Sequence, residues 1–312
     1  MHIRFWGVRG SLPSPLHQAR IQEKIDAIVD QMLPEDLASK ESKQRFLAGL
    51  PPWLYGTVGG NTSCVSVAIE DFDELIIFDC GSGLRELGLA CTGESKPQKF
   101  HIVLSHFHWD HLMGFPFFDP AYNPSVTIDL YSPKPGLKEF LDGQMRTPYF
   151  PITMDIMAGQ KNFHYLENSV QIGPAELSFR EMCHPGGSFC YQLSHKGKRF
   201  IYATDTELAT NDFLPSEENI RFFKNADVIV LDSQYTLGEA IDKYNWGHSA
   251  FSLSVDFAAN WGIKRLVLFH HDPAYDDRKI HGMLQSARWY LERMDIKGLE
   301  VCLAVENMEI IL

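Results

Sequence analysis

Nowhere in the 312 residues do eighteen apolar residues run together, so no stretch is long enough to cross a bilayer as a helix. The opening Met1-His2-Ile3-Arg4-Phe5-Trp6 has no basic segment leading into a long apolar one, so export is not expected and a cytoplasmic location is. There is no Cys-x-x-Cys pair; Cys64, Cys80, Cys91, Cys183, Cys190 and Cys302 stand singly and are expected as reduced thiols in the core. Basic residues are the minority, 28 against 40 acidic ones for a net charge of −12, and they gather into no stripe. Tight nucleic-acid binding is therefore not expected. No low-complexity tract or linker divides the chain, and 45% hydrophobic with 12% aromatic residues suffices for a packed core. One domain over residues 1–312 is expected.

What is present is concentrated in Phe100 to Phe118, FHIVLSHFHWDHLMGFPFF. The apolar run 100–104 reads as a buried strand, and His106, His108, Asp110 and His111 follow within six residues. One histidine beside a strand is ordinarily satisfied by its neighbours. Three with an aspartate are costly to desolvate unless something coordinates them. A His-x-His pair at a strand end can point two imidazoles at one metal, while Asp110 and His111 turn toward a second.

The same theme recurs along the chain. Residues 2–8 read as a strand, turned by Gly7, Gly10, Pro13 and Pro15. Residues 18–50 then change to helical spacing, with Ile21, Ile25, Ile28, Val29 and Met32 on one face and Pro34 as a break. This is expected to be a helical insertion, at about residues 17–52, whose apolar face must bury against the same subunit or form a homodimer interface. Strands are then expected at 64–69, 75–79, 126–131, 177–183, 190–194, 199–203, 228–231 and 266–269, with helices over 84–89 and 250–261. Residues 133–173 show no clear period and are expected to pack as an ordinary loop-rich segment, with a wall or lid beside the site as the alternative. Asp79, His106, His184, Asp205, Asp232 and His270 each stand where an apolar strand stops, so they are expected to converge at one edge. His101 alternates within its strand and is expected to be structural.

The motif His106-x-His108-x-Asp110-His111 resembles the signature of the metallo-β-lactamase fold hydrolases. That resemblance implies an α/β fold: a four-layer αβ/βα sandwich of two mixed sheets with helices outside. It implies two divalent ions, zinc by preference with manganese or iron as alternatives. One would be held by His106, His108 and His184, the other by Asp110, His111 and His270, with Asp205 bridging. His271 is the competing neighbour, though the family pattern aligns best with His270. A hydroxide shared by the ions would be the nucleophile.

Trp246-Gly247-His248-Ser249 narrows the substrate class. It resembles the Gly-His-Ser element of the ribonuclease Z and phosphodiesterase branch, whose histidine is not a ligand but assists the phosphate and leaving oxygen. Asp232 matches the acid that orients it, so Asp110, His248 and Asp232 are the expected catalytic residues. Phe5-Trp6-Gly7-Val8-Arg9-Gly10-Ser11 and Gly59-Gly60-Asn61-Thr62-Ser63-Cys64 also resemble a bacterial branch of these hydrolases. Arg9 is a candidate phosphate contact, a plain surface arginine being the commoner fate, and Asn61 is a second candidate substrate contact. No basic, glycine-rich arm for gripping tRNA is seen. The expected substrate is a small cyclic or linear phosphodiester, with thioester or lactone hydrolysis as the alternative and tRNA cleavage less favoured.

Overall fold

The computed structural model describes residues 1–91 and 97–312. Its strands, in chain order, are β1 (His2–Gly7), β2 (Cys64–Ile69), β3 (Phe72–Phe78), β4 (Lys99–Val103), β5 (Thr127–Ser132), β6 (Gln160–Tyr165), β7 (Val170–Ile172), β8 (Ala175–Met182), β9 (Ser188–His195), β10 (Lys198–Ala203), β11 (Val228–Asp232), β12 (Arg265–Phe269), β13 (Glu300–Leu303) and β14 (Glu309–Ile311). They form two seven-stranded mixed sheets, ordered β14-β1-β2-β3-β4-β5-β6 and β13-β12-β11-β10-β9-β8-β7. The helices are α1 (Gln18–Val29), α2 (Lys40–Gly49), α3 (Pro52–Tyr55), α4 (Gly83–Ala90), α5 (Leu137–Gln144), α6 (Thr210–Phe213), α7 (Glu217–Phe223), α8 (Leu237–Asp242), α9 (Phe251–Asn260) and α10 (Asp277–Arg293).

Three apolar layers explain the arrangement. Between the sheets, Phe5, Val65, Ile76 and Phe78 of the first meet Tyr191, Phe200, Tyr202 and Phe269 of the second, all fully buried. Residues one step along the same strands point the other way: Ile77, Phe100 and Ile102 pack under α4 and α5. Ile229, Leu231 and Leu266 pack under α7, α9 and α10. Both faces of each central strand are thus covered, which is why these strands read as continuous apolar runs rather than alternations. Each such side chain contributes about 1.5–3 kcal/mol by leaving water. The result is the expected αβ/βα sandwich.

Several local expectations need correction. The segment 133–173 contains α5, β6 and β7, and Met145, Met154 and Met157 are buried in it rather than unplaced. β6 (QKNFHY) is a polar edge strand, so no apolar period marks it. α10 was not anticipated, although Ile280, Met283, Ala287 and Leu291 fall on one buried face and the Asp276 side chain caps it by accepting from Lys279 N–H. The insertion is α1, a short 3-10 turn (Pro34–Leu37), α2 and α3. Its apolar face buries only in part against this chain: Ile28 and Met32 are half-buried, while Ile21, Ile25 and Val29 remain exposed. The cysteines are all free, but Cys183 is exposed and only Cys64, Cys80 and Cys190 are fully enclosed. No helix among the described residues is long and apolar enough to cross a membrane.

Candidate metal centre

The parallel pairing of β3 with β4, and of β10 with β11 and β11 with β12, brings the ends of these strands to one edge. There the chain must turn sharply. Asp79, Asp205 and His270, each the first or second residue past its strand, take left-handed backbone conformations with φ of 62°, 50° and 63°. Such conformations are costly for residues with a Cβ and cluster where side-chain placement matters.

The turns deliver two groups of donors. His106, His108, His184 and Asp205 offer one atom each, all within 4.8 Å of one another; so do Asp110, His111, Asp205 and His270. Asp205 belongs to both. Its Oδ1 lies 3.6 Å from His106 Nε2 and 3.8 Å from His184 Nε2, while its Oδ2 lies 3.1 Å from the Nε2 atoms of both His111 and His270. One carboxylate therefore faces a different donor group with each oxygen.

The donor set fits divalent metal. His106 Nε2 and His111 Nε2 are buried and in hydrogen-bonding geometry with nothing, an expensive state for a polar atom without a ligand. Burial, with neighbouring His111, pushes His106 well below the ordinary imidazole range, which leaves its lone pair available. Burial opposes charge on Asp110 and Asp205 too, yet the surrounding imidazoles, His111 first, hold both well below the usual carboxylate range. Imidazole with carboxylate suits zinc, manganese and iron.

The far nitrogens of three of these imidazoles are pinned. Asp79 Oδ2 lies 2.7 Å from His111 Nδ1, and Asp79 also accepts from Ser105 N–H, Ser105 O–H and Tyr202 O–H. His184 Nδ1 donates to Gly247 O at 2.9 Å, Ser105 Oγ lies 3.0 Å from His106 Nδ1, and Thr204 O–H donates to Asp205 at 2.7 Å. Partners of this kind fix the tautomer and aim of a ligand. Asp79 was expected at the site from its strand-end position, but its role as a brace depends on a partner 32 residues away.

His248 stands beside both groups, its ring centroid 5.0 Å from that of His270 and 5.3 Å from that of His184. Its Nδ1 is 2.6 Å from Asp232 Oδ2. Burial would lower its pKa, but the charge and hydrogen bond of Asp232 outweigh burial and raise it to about 9. Asp232, His248 and His270 also lie close enough to form a third donor group. His270, however, aims Nε2 at Asp110 and Asp205 and places Nδ1 3.2 Å from Gln234 Oε1, so it serves the second group.

Two expected substrate contacts are occupied elsewhere. Arg9 is buried, and its guanidinium donates to the carbonyls of Gly59, Asp272 and Tyr275. It staples the β1 turn to the turn after β12. Asn61 accepts from Ser82 O–H through its side chain and from the N–H groups of Val8 and Arg9 through its carbonyl. What the opening Gly-Val-Arg-Gly-Ser supplies instead is the Ser11 N–H, 2.8 Å from Asp110 Oδ2. It also supplies Gly10, where a Cβ would lie 2.5 Å from His270 Nδ1. A backbone donor carries no residue signature, which is why pattern reading missed it. His271 donates to or accepts from no ligand and lies 2.9 Å from Ala304 O; His101 is buried between Glu74 and Tyr131.

Fold and donor set together define a metallo-β-lactamase hydrolase, a fold that implies divalent metal ions. Residues 75–271, more than half of the chain, match the beta-lactamase superfamily domain, and the chain belongs to that family. It is 25% identical over 248 residues to a ribonuclease Z of Exiguobacterium sibiricum, covering 65% of this chain and 81% of that one. Among solved structures it is similar to human tRNase Z, short form, with TM-score 0.64, 19% identity and coverage of 100% and 99%. It is also similar to a diphosphatase of the PhnP family, with TM-score 0.63, 14% identity and coverage of 100% and 97%. At these identities the two structural likenesses speak for the fold alone.

Proposed function

We propose that this hydrolase is a phosphodiesterase acting on a small cyclic or linear phosphodiester at a dinuclear centre. The observation that carries the reading is the His248–Asp232 pair: an imidazole beside both donor groups, hydrogen-bonded at 2.6 Å to a fully buried carboxylate. His106, His108 and His184 would hold one ion and Asp110, His111 and His270 the other, with Asp205 between them. When bound, such ions supply Lewis acidity and water of lowered pKa.

The remaining work belongs to the chain. Asp232 holds the His248 Nδ1–H, so Nε2 is the atom that meets substrate. As a hydroxide oxygen bonds to phosphorus and the ester P–O bond breaks, the departing oxygen takes the Nε2 proton of His248 and leaves as the alcohol. Asp79, Gly247 and Thr204 hold His111, His184 and Asp205 against reorientation during this transfer. A thioester expels a thiolate, which needs such a donor far less than the alkoxide expelled from a phosphodiester does. The experiment is to measure metal content and turnover of 2′,3′- and 3′,5′-cyclic nucleotides in the parent and in His248→Ala. About two metals per chain with turnover, lost in the variant, supports the reading. Two metals without phosphodiester turnover would redirect it to thioesters and lactones.

A second reading, tRNA cleavage, is favoured by the ribonuclease Z relative. Against it stands the net charge of −12, since a polyanion is bound chiefly through basic side chains. Cleavage of a precursor tRNA faster than that of any small diester would select this reading instead.

A further inference from the structure

We infer that the groove between the metal-ligand loop and α5 is the subsite for the nucleobase of a small nucleotide, an inference that rests on the phosphodiesterase reading. The cavity is about 750 Å³, within the range of small-molecule sites. Phe107, Trp109, Phe140, Tyr149 and Phe150 supply its aromatic walls, Phe107 packed on Phe140 at 4.8 Å between ring centroids, and Arg146 also lines it.

The first argument is continuity. His106 and His108 belong to one donor group and Asp110 to the other, while the intervening Phe107 and Trp109 line the groove. Ligands and groove wall therefore alternate along one loop that tightens into a 3-10 turn over Trp109–His111, and adjacent residues are only about 3.8 Å apart at Cα. His108 and the groove residue Trp109 are both solvent-exposed, so a donor of the centre and a wall of the groove meet the same solvent. A molecule with its phosphate at the metals has the groove as its next neighbour.

The second argument is composition. Trp109 is 70% and Tyr149 71% exposed, yet both belong to a concave wall rather than to scattered surface. Planar aromatic side chains facing a cavity suit a planar heteroaromatic group, because every base presents a π face for stacking. Arg146 has no carboxylate partner among the described residues, leaving its guanidinium for base acceptors or a second phosphate oxygen. Lys134 reaches over the Phe107 ring, with Nζ 6.0 Å from its centroid, and bonds Gly186 O just after His184. Cationic and aromatic groups thus run from the ligand loops into the groove. The single carboxylate in its lining, Glu139, can accept from an exocyclic amine. An acyl chain would leave Arg146 and Glu139 without use.

The size of the groove and the acidic surface commit the occupant to a free nucleotide rather than a nucleic-acid strand. The test uses the metal-loaded protein and titrates adenosine 5′-monophosphate against ribose 5-phosphate, which share the phosphate and differ by the base. Neither is a diester, so affinity is read without turnover. The parent should bind the nucleotide about tenfold more tightly, the order expected for one stacked base. Phe140→Ala/Tyr149→Ala should abolish that preference, and Arg146→Gln should reduce it. Tyr55→Ala, an exposed aromatic on α3, should keep it. Equal affinity for both ligands, or undiminished preference in the double variant with an unchanged melting temperature, overturns the proposal. So does tenfold tighter binding of a short single-stranded RNA than of the mononucleotide. Turnover of bis-p-nitrophenyl phosphate, measured alongside, separates the two levels. Turnover without base preference sinks the groove assignment alone, and base preference without turnover supports the groove and sinks the phosphodiesterase reading.

Discussion

Asp79 and His111 face each other at 2.7 Å, both completely buried, one at the end of β3 and the other in the loop after β4. The carboxylate can only accept, so His111 must donate from Nδ1 and present Nε2 to the metal group. Asp79→Asn removes that compulsion. Metal affinity at the Asp110–His111–His270 group should fall 10–100-fold, the usual effect of losing such a brace. Competitive chelator titration of the purified variant checks this; unchanged affinity for both metals would show that Asp79 serves only the fold.

His248 should matter in proportion to the leaving group. Replacement by Ala is expected to slow hydrolysis of an alkyl-leaving diester, such as a 2′,3′-cyclic nucleotide, by about 10²–10⁴-fold. A p-nitrophenyl leaving group needs little protonation and should lose far less. Parallel rate measurements on the two substrates, with metal content held equal, make the comparison. Equal losses on both would mean that His248 acts in binding or structure rather than as a proton donor.

Gly247 has φ of +87°, and a Cβ there would lie 2.2 Å from His184 Nδ1. Gly247→Ala therefore combines backbone strain with displacement of a ligand ring. The affinity of the His106–His108–His184 group should drop at least tenfold while the second group is retained, leaving about one metal per chain by elemental analysis.

Glu239 offers a pH test away from the metals. Burial works against its charge, but Lys279, Thr236 and Tyr275 outweigh burial and lower it to about 2 from 4.5. A depressed carboxylate contributes stability that is fully present above the unfolded value and is lost as pH falls through the folded one. Glu239→Gln should thus lower the melting temperature at pH 6, with the difference from the parent shrinking below pH 4.5 and gone near pH 2. A constant difference across that range would mean that shape, not charge, is what the side chain supplies.

The cluster of donor residues was largely legible along the chain because its members sit at strand ends, and short buried strands announce themselves as apolar runs. His106, His108, Asp110 and His111 share one turn, so their proximity is a matter of local geometry. Asp205 and His270 were legible by position, since parallel neighbours in a sheet must end at the same edge. β6, β13 and β14 were not, because polar or very short edge strands carry little period.

By itself the sequence determined the apolar strand cores, the polar residues that stop them and the absence of any membrane-length apolar run. These follow from hydrophobic pattern and covalent adjacency alone. Only the tertiary structure decided that Arg9 staples three carbonyls instead of meeting substrate, that Ser11 N–H serves Asp110, and that Asp79 braces His111. It also decided that Phe107 packs on Phe140 of α5, their ring centroids 4.8 Å apart, beside a cavity that Trp109 also lines. Each is a contact between segments far apart in the chain, and its partner is chosen by sheet register and loop packing, which no local pattern encodes.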